Sequence, residues 1–178
     1  MSRIGKQPVI LPSGFEAQIS ASSVTIKSPK GSLTMPLGRG VAVSQGKGEL
    51  NVAVTGADKQ SRANFGTTRA LLSNMVKGLS TGWKRVLEMN GVGFVAKVNG
   101  QTLILTVGFS HDVIVEIPKE VKCVVTKNII ELESANKELV SNLAANIRKV
   151  QPPEPYLGKG IKYQDEKVRR KAGKTGKK

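Results

Sequence analysis

The chain has 178 residues, of which 39% are apolar and only seven aromatic, and 28 Lys and Arg outweigh 13 Asp and Glu to leave a formal charge of +15. That length suits one medium or two small domains, and a surplus of that size with a pI near 10.2 calls for a polyanionic partner, most often nucleic acid. A lone cysteine, Cys123, rules out an internal disulfide, no apolar stretch is long enough to span a membrane, and Met1 to Gln7 is too polar for a secretory leader, so a reducing, cytoplasmic setting is expected.

From Ile10 to Lys27, Phe15, Ala17 and Ile19 alternate with polar residues, as do Val24 and Ile26, which is the period of half-buried strands. Pro29-Lys30-Gly31 and Leu37-Gly38-Arg39-Gly40 are turn material. Val41 to Val43 and Leu50 to Val54 read as further strands around a turn at Gln45-Gly46-Lys47-Gly48. Asp58 is a candidate N-cap, and Leu72, Met75, Val76 and Leu79 mark one face of a helix over about 59–80, with Gly78 and Gly82 where it would stop.

Strands resume at Trp83. Phe94 to Val98 and Gln101 to Val107 flank Asn99-Gly100, which predicts a hairpin with a type I′ turn and two positive φ angles. Val113 to Ile117, Cys123 to Thr126 and Ile129 to Leu132 continue the strand pattern. A second helix begins near Asn136, with Leu139, Leu143, Ile147 and Val150 on one face, and Pro152, Pro153 and Pro155 end it.

The halves resemble each other. A shift of 106 residues sets Leu11, Pro12, Phe15, Ala17, Ile19, Val24 and Ile26 on Ile117, Pro118, Val121, Cys123, Val125, Ile130 and Leu132, whereas the helices align at a shift of 78. The expectation is an α+β fold of two similar small domains, each an antiparallel or mixed sheet covered by one helix, at 1–82 and 83–168, followed by a basic tail at 169–178.

Catalytic chemistry is missing. Ser110, His111 and Asp112 are consecutive, so their side chains diverge, and His111 and Cys123 are the only soft metal ligands. Gly91-Val92-Gly93-Phe94-Val95-Ala96 matches a dinucleotide-loop pattern, yet it leads into a hairpin rather than a helix. Gly173-Lys174-Thr175 lacks the earlier glycine of a phosphate-binding loop. Glu131 and Glu133 read as the exposed side of a strand. No enzyme, cofactor, metal or small-molecule substrate is expected.

Nine cations crowd the last 21 residues: Lys159, Lys162, Lys167, Arg169, Arg170, Lys171, Lys174, Lys177 and Lys178, against only Asp165 and Glu166. From Arg169 onward the chain is too polar to bury a core and is expected to be disordered when unbound. Seven aromatics, several at core positions, cannot furnish a base-stacking platform. What remains is recognition of phosphate and shape by Lys and Arg, with Gly158 and Gly160 allowing close backbone approach. Folded, double-helical RNA suits that mode, and an architectural or regulatory DNA binder is the alternative.

Pro153-Glu154-Pro155-Tyr156-Leu157-Gly158-Lys159-Gly160-Ile161-Lys162-Tyr163 closely resembles the C-terminal signature of the bacterial large-subunit ribosomal protein L6 family. Ser2-Arg3-Ile4-Gly5-Lys6, Gly66 to Gly78 (which includes Arg69), Gly91 to Phe94 and Leu105 to His111 fit the same family in order. The resemblance implies two similar α+β domains in a structural protein of the cytoplasmic ribosome. It implies binding to large-subunit (23S) rRNA near the base of the factor-binding stalk, beside neighbouring ribosomal proteins, with the C-terminal domain as the main RNA-binding part. The RNA contacts it points to are Lys159, Gly160, Lys162, Tyr163 and the tail, with Gly158, Arg3, Lys6 and Arg69. Leu157 stands where many relatives carry a basic residue, and Lys162 where Arg is common, which keeps the charge but loses bidentate geometry.

Overall fold

A computed structural model describes residues 2–174. They form two compact units that divide between Gly82 and Trp83. Among these residues no helix is long and apolar enough to cross a membrane.

In the first unit the strands are β1 (Val9–Ile10), β2 (Glu16–Ile19), β3 (Ser23–Ser28), β4 (Gly31–Pro36), β5 (Val41–Gln45) and β6 (Glu49–Val54), followed by helix α1 (Lys59–Thr81). They make two antiparallel three-stranded sheets, ordered β2-β3-β4 and β1-β6-β5. Alternation decides which side of each strand is buried: Val24, Ile26 and Met35 on one sheet, Val9, Val41, Val43 and Leu50 on the other. Phe65, Leu72, Val76 and Leu79 of α1 complete the core. β4 is not among the strands expected from the sequence, where a turn ends at Gly31 and another begins at Leu37. Leu33 and Met35 carry its period of two, but Gly31 and Pro36 at its ends hide so short a run.

The second unit contains β7 (Trp83–Asn90), β8 (Val95–Asn99), β9 (Thr102–Thr106), β10 (Val113–Glu116), β11 (Lys122–Thr126), β12 (Ile129–Ser134), helix α2 (Lys137–Val150) and β13 (Gly160–Tyr163). Its sheets run β10-β9-β8 and β11-β12-β7-β13. The core includes Leu87, Met89, Leu103, Leu105, Ile130 and Leu132 from the sheets, and Val140, Leu143, Ala144 and Ile147 from α2. The α+β class with two similar units is therefore as expected, but each unit holds two sheets rather than one; α1 packs on both sheets of its unit and α2 on the four-stranded sheet.

The strand registers correct the shift of 106 residues. β1 to β6 and α1 correspond in order to β7 to β12 and α2, because the sheet orders match on that mapping. Val24 paired with Met35 corresponds to Leu103 paired with Val115, and Leu50 paired with Val9 corresponds to Ile130 paired with Leu87. Those shifts lie between 78 and 80 residues, the same as the shift from Asp58 to Asn136 that aligns the helices. The shift of 106 arises because each unit is itself pseudo-symmetric: β2-β3-β4 and β5-β6-β1 have the same local pattern. It laid β3 of one unit over the half of the other unit to which it does not correspond.

Two turn details also differ from expectation. Asn99 pairs with Thr102, so the hairpin loop is Gly100-Gln101, and Gly100 has φ +60 while Asn99 and Gln101 do not have positive φ. A single positive φ at the first central position is the type II′ pattern rather than type I′. Asp58 starts α1, yet its carboxylate accepts from the Ser61 hydroxyl instead of a backbone N–H. Asn136 does cap α2, accepting from the Glu138 N–H at 3.0 Å. Gly78 is buried inside α1, and Gly82, at φ +81, ends the helix.

Candidate nucleic-acid interface

The glycine-rich segment after α2 is a strand. Three prolines cannot continue the helix, so the chain leaves Gln151 extended and returns as β13, antiparallel to β7 with Gly160 opposite Asn90 and Tyr163 opposite Leu87. The Ile161 N–H donates to the Gln151 carbonyl at 2.7 Å and the Glu154 N–H to the Lys159 carbonyl at 2.9 Å, closing the loop. Sequence reading missed β13 because only Ile161 and Tyr163 alternate in it, between glycines that signal a turn.

This placement corrects the reading of Gly158 and Gly160 as points of approach for a partner backbone. Both are buried. A Cβ on Gly160 would lie 2.6 Å from the Pro152 carbonyl oxygen and 2.7 Å from Pro153 Cα. Gly158 has φ +73, and a Cβ there would stand 3.0 Å from an Arg170 guanidinium nitrogen. The missing side chains make room for this chain's own loop and tail.

Lys162 projects from β13 with its ammonium 2.9 Å from the Glu88 carboxylate, so its charge is already partnered. Tyr163 packs against the core of the second unit, with the guanidinium carbons of Arg148 and Arg85 at 5.9 and 6.0 Å from its ring centre. Lys159 is exposed, its ammonium 5.2 Å from the centre of the Phe94 ring. Tyr156 and Leu157, at the tip of the loop, are 55% and 81% exposed.

Beyond β13 the chain has no regular element through Lys174, but it is anchored. Arg148 donates from Nε to Glu166 Oε2 at 2.8 Å and from Nη2 to Oε1 at 2.5 Å, and the Tyr163 N–H donates to the same carboxylate at 3.2 Å. The Lys171 N–H donates to the Pro155 carbonyl at 2.8 Å. The expectation of a chain disordered from Arg169 is thus corrected as far as Lys171, which lies back along the proline loop. Lys167, Arg169, Arg170, Lys171 and Lys174 are all exposed, and Arg170 beside Gly158 and Lys171 bonded to Pro155 hold this stretch along the proline loop. Lys177 and Lys178 lie outside the described residues. Arg3, Lys6 and Arg69 belong to the first unit; Arg3 and Lys6 are exposed, and Arg69 donates to the Gln7 and Pro8 carbonyls at 3.1 and 3.3 Å.

The outward face of the four-stranded sheet is charge-balanced. Lys84 lies 2.7 Å from Glu131, Lys162 pairs with Glu88, and Lys122 stands opposite Glu133 in the register. Residues 83–168 together carry only +2, against +6 on residues 169–178. No cluster of three or more potential metal ligands occurs among the described residues. Burial pushes the Cys123 thiol up to about 11, leaving it protonated and unreactive at neutral pH. The arrangement suits a chain of phosphates laid along the tail edge rather than a substrate held in a pocket.

The family model described as ribosomal protein L6 matches residues 11–82 and 90–164. The chain belongs to the ribosomal protein L6 family. Curated relatives named large ribosomal subunit protein uL6 are similar over the whole length. That of Wolinella succinogenes is 47% identical over 178 residues, covering 100% of both chains. That of Oleidesulfovibrio alaskensis is 45% identical over 176 residues, covering 99% of this chain and 98% of its own. That of Staphylococcus aureus strain JH9 is 47% identical over 178 residues, covering 99% and 100%.

Within this L6 family member, Arg148 and Glu166 are the anchor that sequence reading missed. They stand 18 residues apart across the proline loop, so no local spacing announces them. Hydrogen bonds from Arg148 hold the Glu166 carboxyl below the usual carboxylate range, with the Tyr163 N–H adding to the effect. A lowered pKa stabilises the fold above the unfolded-state value near ~4.3 and is lost as pH falls through the folded-state value. Glu166→Gln should cost about 2 kcal/mol at pH 7. Denaturant titration should show that difference shrinking as pH falls below about 4, because the unfolded carboxylate takes up a proton before the folded one does. A pH-independent difference would mean the carboxylate acts by packing alone.

Proposed function

We propose that this chain is a structural component of the large ribosomal subunit that binds large-subunit rRNA through phosphate and shape contacts. Membership in the L6 family makes it a structural protein of the ribosome rather than an enzyme. The reading extends to a cytoplasmic ribosome, a position near the base of the factor-binding stalk and contacts with neighbouring ribosomal proteins. The C-terminal unit with its tail is the main RNA-binding part, through Lys159, Lys167, Arg169, Arg170, Lys171 and Lys174, with Lys177 and Lys178 beyond.

The observation that carries this reading is the charge distribution. The folded second unit is nearly neutral and paired on its sheet face, while unpaired cations gather along the anchored tail edge. Phosphate contacts of that kind give affinity without base reading, as suits a protein that recognises an RNA by its folded shape.

Sucrose-gradient sedimentation of cell extracts tests the assignment. The chain is expected with the large subunit and, once stripped from it in high salt, to bind protein-free large-subunit rRNA more tightly than duplex DNA of equal charge. Sedimentation away from ribosomes, or tighter binding to DNA, would overturn it.

A further inference from the structure

We infer a second phosphate-binding surface, on the first unit, formed by the outward ridge of α1 and the N-terminal arm pinned to it; this rests on the rRNA-binding reading above. Residues 1–82 carry ten basic and three acidic side chains, a net +7 that owes nothing to a tail. Within α1, from Lys59 to Thr81, there is no Asp or Glu. Its four cations, Lys59, Arg62, Arg69 and Lys77, fall within about 80° of one another at 100° per residue, along about 27 Å of helix. That sector adjoins the buried face of Phe65, Leu72 and Leu79 without entering it.

The ridge is shaped as well as charged. Gly66 and Ser73 lie between the cations, both half-buried, and a Cβ on Gly66 would stand 3.2 Å from the Ser2 hydroxyl of the arm. Arg69 holds the arm by its bonds to the Gln7 and Pro8 carbonyls. Gly5 is pressed on the Phe65 ring so closely that a Cβ would come within 2.9 Å of three ring carbons. These contacts place Arg3 and Lys6, both exposed, beside the helix.

Pairing separates the two units. Every ion pair seen among the described residues lies in the second unit, and Lys59, Arg62 and Lys77 are exposed without one. A solvated helix surface usually alternates charge signs for solubility and for i, i+4 support. A one-sign ridge forgoes that support and repels itself, which a phosphate backbone would offset. The occupant is RNA backbone rather than a protein, because the helix ridge offers positive charge and small residues, and one exposed apolar side chain on the arm, Ile4, does not make an aromatic or buried anchor.

The test uses full-length chain and protein-free large-subunit rRNA, with affinity measured from 0.1 to 0.4 M salt. The ridge variant carries Lys59→Gln, Arg62→Gln and Lys77→Gln. The control carries Lys27→Gln, Lys47→Gln and Lys97→Gln, exposed cations away from α1. At about −0.9 per phosphate contact, the ridge variant should lower the slope of log K against log salt by roughly 2.7, and weaken binding on the order of a hundredfold at 0.15 M. The control should lose far less. Equal losses in both variants, or an unchanged slope in the ridge variant, overturn the second surface while leaving the main assignment intact. Failure of the wild-type chain to bind the rRNA would instead overturn that assignment, and the ridge with it.

Discussion

Deleting residues 169–178 is expected to remove most of the salt-dependent RNA affinity of the second unit while leaving its fold intact. Six cations leave with that segment, and the remainder of the unit carries only +2. If all six contact phosphates, the slope of log K against log salt falls by about 5, so the wild-type chain loses roughly a thousandfold more affinity than the truncated chain between 50 and 200 mM salt. Core stability should change little, because the anchors of the tail edge are retained: Arg148, Glu166 and the whole of β13 precede the cut. The Lys171 bond to Pro155 and the Arg170 side chain beside Gly158 go with the segment. The competing outcome is an unchanged slope with lower solubility, which would make the tail a solubilising end. Binding isotherms at four salt concentrations, with thermal unfolding of both chains, separate the two.

The two units were visible in the sequence because their strands alternate cleanly, as in Leu103 and Leu105 against Val113 and Val115, and because both helices start at cap-type residues, Asp58 and Asn136, and end at glycine or proline. Their equivalence was harder to align. The pseudo-symmetry inside each unit makes a half-unit slip almost as good in apolar pattern as the true register, and only the strand partners distinguish Leu103 from Ile130 as the counterpart of Val24. The site was legible in its composition but not in its pairing. Lys159, Lys162 and Lys167 read alike as basic residues, yet Glu88 reaches Lys162 from another strand, 74 residues away in sequence, and no spacing rule encodes that contact. The glycines misled for the same reason. A glycine marks a place where something comes close, and sequence cannot say whether that is a partner or the chain itself.

Gly160 decides between those alternatives most sharply. Gly160→Ala is expected to destabilise the second unit by about 3–5 kcal/mol, combining backbone strain at φ +141 with a clash against the Pro152 and Pro153 backbone, which cannot move aside as a side-chain tip would. Gly31→Ala isolates the first contribution. Gly31 has a similar φ, +151, but open space where its Cβ would be, so only the backbone strain, about 1–3 kcal/mol, is expected there. The excess cost of Gly160→Ala over Gly31→Ala measures the clash. Relief of that clash requires the strand to leave its place beside Asn90, which would loosen Ile161 in the core and the Glu166 contacts that hold the tail edge. Guanidinium denaturation of full-length variants reads the stability loss. RNA affinity should fall less than in the tail deletion, since every cation is still present and only its placement is disturbed. Should Gly160→Ala instead cost no more than Gly31→Ala while RNA binding collapses, the glycine serves the partner after all, and its internal role is wrong.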